Sequence, residues 1–503
     1  MENQAFNFLA EISDADWEKT PESVKRLVGQ LLERIAALEE RQEHLEEQLK
    51  RNSQNSSQPA SQDVSPGFKP KPKEPGKKRR GGQPSHAGHS QRLYAPEECA
   101  EIEEHYPSHC CGCGEALSGS DAAPQRCQIV EIPPLRPIVV EHRFHALACP
   151  SCGVKTRAYD AAVVDGSRYG DRLCALVGLL SGEYRQSHRM VVRLLAEIFE
   201  VEMAVGSVGR LRQTISEAVA VPVTEAHQYV QQQARVSVDE TSFQQGNADG
   251  ANPTGTKGRL WVVVTPLMCY FQVLLSRSQA AAQTVLGSAF AGYINSDRYS
   301  AYNWLAVWQR QVCWAHLKRD FTKISQRSGV SRELGEALLK QHEQLFELWH
   351  RVRDGTLERT QFITAAEPIR KTVHQLLTAA ADYAIAEGEK TPWVKTVGTC
   401  RQLLKLEPAL WLFLSVEGIE PTNNAAEQAI RPAVLWRKCS YGSQSAQGSL
   451  FVGRMMTVVT SLRRQQRHVL DYLADACHAK RQGLPAPSLL PVSAPANSAS
   501  PVS

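Results

Sequence analysis

What this sequence lacks excludes several classes of protein. No uninterrupted apolar run approaches the roughly 20 residues that a membrane-spanning helix needs. The first residues, MENQAFNFLAEISDADWEK, are acidic and have neither the basic start nor the apolar middle of a secretory signal peptide. The net charge of +4 is small for 503 residues, so only its distribution along the chain is informative. We therefore expect a cytoplasmic protein with no membrane partner.

Length and composition predict several folded units. A chain of 503 residues is too long for one ordinary core, and three or four units are expected. The hydrophobic content of 42% is sufficient for globular packing. Most of the 13 cysteines are scattered singly in apolar segments, which is typical of reduced thiols in a cytosol. The exception is a group of paired cysteines.

A heptad pattern occupies residues 20–50. Nearly four heptads, with charged residues between the apolar positions, predict a coiled coil that pairs with a second copy of the chain. An amphipathic helix that packs on the protein's own core is the alternative. The two seam positions hold Val24, Leu31, Leu38 and Leu45, and Val28, Ile35, Gln42 and Leu49.

Residues 51–95 are polar and then basic, and they are predicted to be disordered. Proline and glycine interrupt a run of positive charge that cannot pack and stays solvated. The segment is either a solubilising linker or a flexible arm that contacts DNA phosphates, and an arm would give DNA affinity that falls with salt. The densest part of the run is Lys77, Lys78, Arg79 and Arg80.

Paired cysteines within residues 96–160 have the spacing of a zinc site. Cys110-x-x-Cys113 and Cys149-x-x-Cys152 are each followed by glycine, and two such knuckles supply the four thiolates of a tetrahedral Zn²⁺ site. The segments CQIVEIPP and IVVEHRFHALAC are predicted to be strands that bring the knuckles together. With four protein ligands, this zinc would be structural rather than catalytic.

Beyond residue 170 the pattern is first helical and then mixed. Residues 170–234 predict short helices that resemble a helix-turn-helix DNA-binding domain, although many small helical bundles have the same pattern. Residues 235–330 predict three antiparallel strands, a helix, a fourth strand and a fifth strand, QVCWAHL, that ends at His316. A helix would follow near Lys318.

The rest of the chain is predicted to interrupt and then complete that α/β unit. Residues 331–415 predict an all-helical insertion, residues 416–480 the second part of the core, and residues 481–503 a disordered tail. The predicted fold class is multidomain α/β. A ribonuclease-H-like catalytic core with an all-helical insertion would follow a coiled coil, a zinc-knuckle domain and a small helical domain.

Three acids carry the predicted chemistry: Asp239 in VSVDETSF, Asp297 in YINSDRYSAY and Glu427 in NNAAEQAIRP. The first two lie in or just after apolar strands, where a buried charge is costly unless a cation neutralises it. Two strand acids and one distant helical acid can hold two Mg²⁺ (or Mn²⁺) ions for phosphoryl transfer to or from DNA. For each residue alone there is a structural alternative: Asp297 as a turn residue, and Glu427 as an acid that the helix dipole favours near the start of a helix.

Basic residues and one histidine accompany the acids. His316, in CWAHLKRDF, is predicted to lie near them and to orient the scissile phosphate or stabilise the leaving group, and a structural role is the alternative. The basic residues that follow an acid in the sequence are predicted DNA contacts: Arg298, Arg431, Arg437 and Lys438.

In this order, the motifs resemble the transposase of the bacterial insertion sequence 66 family. They run from the leucine seam and NSQNSSQPASQD through RRGGQPSHAGH and the CxxCG knuckles to VDET, INSDRYSAY, CWAHLKRDF, NNAAEQAIRP and RKCSYGS. The resemblance implies a DDE-type catalytic domain with the triad Asp239, Asp297 and Glu427. It also implies cut-and-join chemistry at terminal inverted repeats, accessory proteins of the same element, and a nucleoid-associated location in a bacterium.

The sequence departs from the family pattern at three places. Ser85 stands where the family usually has glycine, the first knuckle reads HCCGCG, and Val434 stands where some DDE enzymes have a basic residue two turns after the glutamate. Two other functions stay open. One is an inactive or repurposed transposase that binds DNA sequence-specifically, and the other is a ribonuclease-H-like nuclease acting on RNA–DNA hybrids.

Overall fold

The computed structural model describes residues 14–49, 55, 93–164 and 167–491. The chain divides into two compact units, one made of residues 1–64, 139–196 and 202–503 and the other of residues 65–138 and 197–201. The basic run predicted at Lys77, Lys78, Arg79 and Arg80 lies outside the described residues. Among the helices that are described, none has both the length and the apolar character needed to cross a membrane.

The heptad segment is one long helix. Helix α1 spans Asp14–Lys19, and α2, Glu22–Leu49, contains every residue of the predicted seam. The seam residues Leu31, Ile35 and Leu38 are 51%, 44% and 58% exposed. Half-exposed apolar side chains are unusual on a helix that packs on its own core. Pairing through this seam stays a prediction.

The segment with the paired cysteines contains little regular structure. It has a single 3₁₀ turn at Pro96–Glu98 and an antiparallel hairpin of β1, Ala146–Ala148, and β2, Lys155–Arg157. The strands predicted for CQIVEIPP and most of IVVEHRFHALAC are wrong, since residues 127–145 form no strand. Ile129 and Ile138 are each 95% exposed, and β-branched residues form strands only where a neighbouring strand or layer covers them.

Helices occupy residues 161–231. They are α3, Ala161–Val164; α4, Asp171–Gly182; α5, His188–Phe199; α6, Val205–Ala218; and α7, Ala220–Gln231.

A five-stranded mixed sheet follows, in the order β5-β4-β3-β6-β7. Strands β3 and β4, and β4 and β5, pair antiparallel, whereas β6 lies parallel to β3 and β7 parallel to β6. All five predicted strands are present. Their bounds, with the connecting helix α8, are β3, Arg235–Ser242; β4, Arg259–Val264; β5, Cys269–Leu274; α8, Gln279–Leu286; β6, Tyr293–Ser296; and β7, Arg310–Val312.

The fifth strand is shorter than predicted. It ends at Val312, and helix α9, Trp314–Ser325, begins at once, so His316 lies in a first helical turn and not on a strand. The buried residues Trp314, Leu317 and Phe321 are three and four positions apart, which is the spacing of a helix. The prediction of a strand over QVCWAHL did not take this spacing into account.

A glycine sets the contact between the two strands that carry the acids. A Cβ atom on Gly292, just before β6, would lie 2.4 Å from the carbonyl oxygen of Gln233 and 2.9 Å from that of Ala234. Only glycine lets the two backbones come this close, so Gly292 supports the parallel pairing of β3 and β6.

The predicted helical insertion shares its core with α9. Helix α9 packs on α10, Val330–Arg353, and α10 packs on α11, Arg359–Ala381. Three more helices follow in the chain: α12, Pro392–Lys405; α13, Glu407–Leu410; and α14, Leu412–Ser415. Trp314 of α9 lies in one hydrophobic cluster with Trp349, Phe362, Trp411 and Phe413. The insertion and the sheet-flanking helix are therefore built around one continuous core.

The C-terminal helices return to the sheet. Helix α15, Asn424–Ser440, packs on β3 and β4; α16, Ala446–Arg464, packs on β5 and on α6; and α17, Val469–Gln482, packs on α4. The helices predicted as a separate DNA-binding domain thus join the sheet in one compact unit. The guanidinium of Arg212 on α6 lies 4.2 Å from the ring of Phe451, so this arginine faces the protein interior.

The predicted disordered tail is partly ordered. Helix α17 extends to Gln482, Leu489 is fully buried, and the hydroxyl of Tyr472 donates to the carbonyl of Pro487 at 2.7 Å. Residues 481–491, predicted to be disordered, are therefore ordered, because the buried Leu489 and side-chain hydrogen bonds to the carbonyls of Pro487 and Ser488 hold this segment. Residues 492–503 lie outside the described part of the chain.

Candidate active site and cysteine knuckles

Asp239 lies on β3, the central strand of the sheet, opposite Val262 of β4. Burial raises the pKa of Asp239 well above its usual value, and the negative charges of Glu240, Asp297 and Glu427 raise it further. Such effects are strong only at short range in a poorly solvated region. Asp239 therefore lies within range of the charges of both other predicted acids, and that of Glu427 contributes the least.

Asp297 reaches that region through the pairing of parallel strands. Ser237 of β3 is in register with Asn295 of β6; Asp239 lies two residues further along β3, and Asp297 directly follows Ser296, the last residue of β6. Side chains two residues apart on a strand share a face of the sheet. The carboxylate of Asp297 accepts a hydrogen bond from the backbone N–H of Tyr299 at 2.9 Å, which fixes its orientation.

Glu427 lies in the first turn of α15, beside His316 in the first turn of α9. Its Oε1 atom is buried without a hydrogen-bond partner and lies 3.5 Å from Nδ1 of His316. Nε2 of His316 lies 3.3 Å from Nη1 of Arg319. Because a guanidinium only donates, Nε2 accepts, and the proton of a neutral imidazole is on Nδ1, facing Glu427.

One ligand atom each of Cys313, His316 and Glu427 lie within 4.8 Å of one another. Among the described side chains, no other three metal-type ligands come this close together. The predicted metal ligands Asp239, Asp297 and Glu427 therefore do not form such a group. Carboxylates repel one another, whereas a thiol and an imidazole do not repel Glu427. Burial raises the pKa of the Cys313 thiol to about 11, so the neutral thiol is the form that packs here.

Two buried asparagines, missed by the sequence analysis, connect the segments that carry the acids. The side-chain amide of Asn423 donates to the carbonyl of Val238 at 2.8 Å, and its backbone N–H donates to Sγ of Cys313 at 3.2 Å. The side chain of Asn295 donates to the carbonyls of Glu420 and Thr422 at 2.7 and 2.9 Å. An asparagine before a helix was the available signal, but it is typical of any helix start.

The predicted DNA contacts differ in their surroundings. Arg298 is paired inside the protein with Asp320 at 3.0 Å and with Gln402 at 2.9 Å. Arg437 donates to the carbonyl of Ser242 at 2.9 Å, and so connects α15 to the end of β3. The predicted contacts with exposed side chains are Arg431 and Lys438.

The two cysteine knuckles have the same local geometry, each within its own compact unit. The N–H of Gly114 donates to the carbonyl of Cys110 at 2.9 Å, and the N–H of Gly153 donates to that of Cys149 at 2.8 Å. Hydrogen bonds from backbone N–H groups, first that of Cys113 and then that of Gly112, lower the pKa of the Cys110 thiol.

The N–H groups of Cys152 and then Ser151 lower the pKa of the Cys149 thiol in the same way. A positive φ of about 75° at both glycines turns the chain directly after each knuckle. The two turns are therefore each shaped to favour thiolates, the form that binds metal.

The fold and the site together define an α/β protein with a cluster of acids beside the central strand of a mixed sheet. A family model described as "Transposase IS66 family" matches residues 167–450, more than half of the chain. The chain therefore belongs to the IS66 family of transposases. Residues 13–92 match a second family, one of unknown function called DUF6444.

Two curated relatives, both from Sinorhizobium fredii (strain NBRC 101917 / NGR234), are similar to this chain. The uncharacterized protein y4qI is 26% identical over 446 residues, which cover 83% of this chain and 77% of the relative. The uncharacterized protein y4hP is 23% identical over 249 residues, which cover 44% of each chain. Neither description states an activity.

Proposed function

We propose that this protein is a DDE transposase that cuts DNA at the terminal inverted repeats of its element and joins the ends to target DNA. The observation that carries the proposal is that β3 joins the segments of all three acids: its Ser237 pairs with Asn295, two residues before Asp297, and the carbonyl of its Val238 accepts a hydrogen bond from Asn423, four residues before Glu427. Strand order β5-β4-β3-β6-β7, with the first three strands antiparallel, matches the ribonuclease-H arrangement and supports a catalytic core of that type.

The donor set fits divalent magnesium. Carboxylate oxygens are its preferred protein ligands, and the buried Oε1 of Glu427 lacks a hydrogen-bond partner. Burial, and then the charges of the neighbouring acids, raise the pKa of Asp239, and a bound cation would offset both effects. Asp239, Asp297 and Glu427 would hold the ions. When bound, a pair of magnesium ions supplies activation of the attacking oxygen and stabilisation of the leaving oxygen.

His316 and Asn423 would position the acids. Nδ1 of His316 lies 3.5 Å from Oε1 of Glu427, so a small approach of the two would form a hydrogen bond that orients the carboxylate, and the imidazole would not need to touch the DNA. Asn423 holds the start of α15 against the carbonyl of Val238, the residue before Asp239. Small displacements of reacting groups reduce rates strongly, so such tethers are required even though they contact no substrate.

The outer segments would supply binding to DNA and self-association. The exposed seam of α2 would pair two chains, and the basic segment at Lys77, Lys78, Arg79 and Arg80 would add salt-dependent contacts to DNA phosphates. Cys110, Cys113, Cys149 and Cys152 would hold one structural Zn²⁺, as the matching thiolate-favouring turns suggest. Accessory proteins of the same element would complete the assembly.

Cleavage of terminal-repeat DNA tests the proposal. Purified full-length protein, with and without Mg²⁺, is incubated with a duplex carrying the element's end, and the products are separated on a denaturing gel. We expect metal-dependent nicks at the end of the repeat that disappear in Asp239→Asn and Glu427→Gln. Full activity of these variants would refute the active site. Binding without any cleavage, alone or with accessory proteins, would favour a non-catalytic DNA-binding protein.

A further inference from the structure

Arg277 lies at the acid cluster although nothing in its sequence context marks it. It stands in the connection between β5 and α8. Its Nε and Nη2 atoms lie 2.7 and 2.6 Å from Oε1 of Glu240, the residue after Asp239. The hydroxyl of Tyr302 donates to the other oxygen of Glu240 at 2.8 Å. Both oxygens of Glu240 are therefore used within the protein, and this acid serves as an anchor for the arginine.

The guanidinium is held from two further sides. Its central carbon lies 3.7 Å from the centre of the Tyr299 ring, and the hydroxyl of Tyr299 donates to the carbonyl of Arg277 at 2.7 Å. Nη2 of Arg277 lies 4.0 Å from Oδ2 of Asp297. A positive group is thus fixed beside one of the acids, in an orientation that the chain sets before any ligand arrives.

Stability alone does not account for this ion pair. The Glu240 side chain is 1% exposed, and a buried pair contributes little net stability because removing both charges from water offsets their attraction. An apolar pair of similar volume would pack as well at this point of the sheet. What the ion pair supplies, and an apolar pair would not, is a cation beside Asp297.

Arg277 also differs from the other arginines near the acids. Arg298 is engaged by Asp320, and Arg437 by the end of β3. The guanidinium of Arg277 has five N–H donors, of which those on Nε and Nη2 face Glu240, and 38% of its side chain is accessible. Planar guanidinium donors match the oxygens of a phosphate.

We propose that Arg277 binds the phosphate of the DNA strand to be cut, and this rests on the proposed transposase function. The carboxylates repel a DNA backbone, and a fixed guanidinium beside Asp297 offsets that repulsion at one phosphate. Arg277 would therefore act on how the DNA is placed, and Glu240, Tyr299 and Tyr302 would act by holding Arg277 in place.

The test first maps the cut site and then removes the charge of that one phosphate. Wild-type protein with Mg²⁺ identifies the phosphodiester that is cleaved in terminal-repeat duplex. The same duplex is then made with a neutral methylphosphonate at that position. Affinities for both duplexes are measured with Ca²⁺, a hard cation that carboxylates also bind, in place of Mg²⁺.

The variants separate loss of the contact from loss of the fold. Arg277→Gln alone leaves the buried Glu240 unpaired, so the double variant Glu240→Gln, Arg277→Gln is made beside it, and Arg277→Lys tests whether a point charge suffices. Arg351→Gln, an exposed arginine at the end of α10, is the control for losing one positive charge.

We expect the methylphosphonate to weaken wild-type and Arg351→Gln binding by about tenfold more than it weakens binding of the double variant, as a charge-assisted hydrogen bond to a phosphate predicts. Arg277→Lys should recover part of that difference. An equal effect of the methylphosphonate on wild type and double variant, with wild-type cleavage intact, would overturn the role of Arg277 alone. Failure of the wild type to cleave, both alone and with the accessory proteins, would overturn the transposase function and the Arg277 proposal with it.

Discussion

Replacing Asn423 by alanine tests whether one hydrogen bond aligns two of the acids. Asn423 is 1% exposed, and its amide donates to the carbonyl of Val238, the neighbour of Asp239, at 2.8 Å. The residue makes no side-chain cap on α15, and its backbone bond to Cys313 would remain. The substitution therefore removes one buried connection between the strand of Asp239 and the helix of Glu427.

The expected cost in stability is moderate. A buried carbonyl that loses its donor costs about 1–3 kcal/mol, and a typical folded domain has about 5–15 kcal/mol. Most Asn423→Ala molecules should therefore remain folded at 25 °C. A displacement of about 1 Å between catalytic groups lowers rates by roughly 100-fold, so cleavage should fall far more than the folded fraction does.

The assay combines urea denaturation, followed by tryptophan fluorescence, with cleavage of terminal-repeat DNA over a range of Mg²⁺ concentrations. Asn252→Ala is the matched control, because this asparagine is also buried and donates to the carbonyls of Gln245 and Thr256 at 2.9 and 3.0 Å in the loop between β3 and β4. Because Oδ1 of Asn252 also accepts from the backbone N–H of Thr256 at 2.9 Å, Asn252→Ala should lose at least as much free energy of unfolding as Asn423→Ala and keep its cleavage rate. Equal loss of cleavage in both variants would refute the alignment role of Asn423.

Three further outcomes are expected. Burial and neighbouring acids raise the pKa of Asp239 in the folded protein, so the folded state holds a proton that the unfolded chain releases above pH of about 4, and folding stability falls as the pH rises from there. Asp239→Asn should therefore be more stable than wild type at pH 7 in metal-free buffer, with the gain shrinking towards pH 4 in thermal unfolding curves; a gain that does not change with pH would contradict this cause. Metal analysis of the full-length protein should find one equivalent of zinc, which Cys110→Ser and Cys149→Ser should each remove, whereas Cys400→Ser, a change at a buried cysteine of α12, should retain it; unchanged zinc in the knuckle variants would exclude the site. Deletion of residues 1–92 should convert the protein to a monomer in light scattering and remove cooperative DNA binding, and an unchanged stoichiometry would show that the seam of α2 does not pair chains.

Local patterns were sufficient for most of the secondary structure. The five strands, the seam helix and the helical insertion all follow from apolar periodicity, and the family follows from ordered motifs such as INSDRYSAY and NNAAEQAIRP. The errors occurred where a short segment fits two periods or depends on partners elsewhere. His316 was assigned to a strand because most residues of QVCWAHL are apolar, and CQIVEIPP and IVVEHRFHALAC were assigned to strands although no neighbour covers residues 127–145.

The sequence by itself determined which residue types are present for the chemistry: three acids, two pairs of cysteines, and a histidine between apolar segments. Only the tertiary structure decided which of them meet. Parallel pairing of β3 with β6 places Asp239 and Asp297 together, Asn423 brings in the helix of Glu427, and Glu240 fixes Arg277 beside them. These contacts join residues that are 37 to 185 positions apart. No local sequence pattern predicts them, because side chains that are distant in the sequence form hydrogen bonds and affect each other's charge only after the chain has folded.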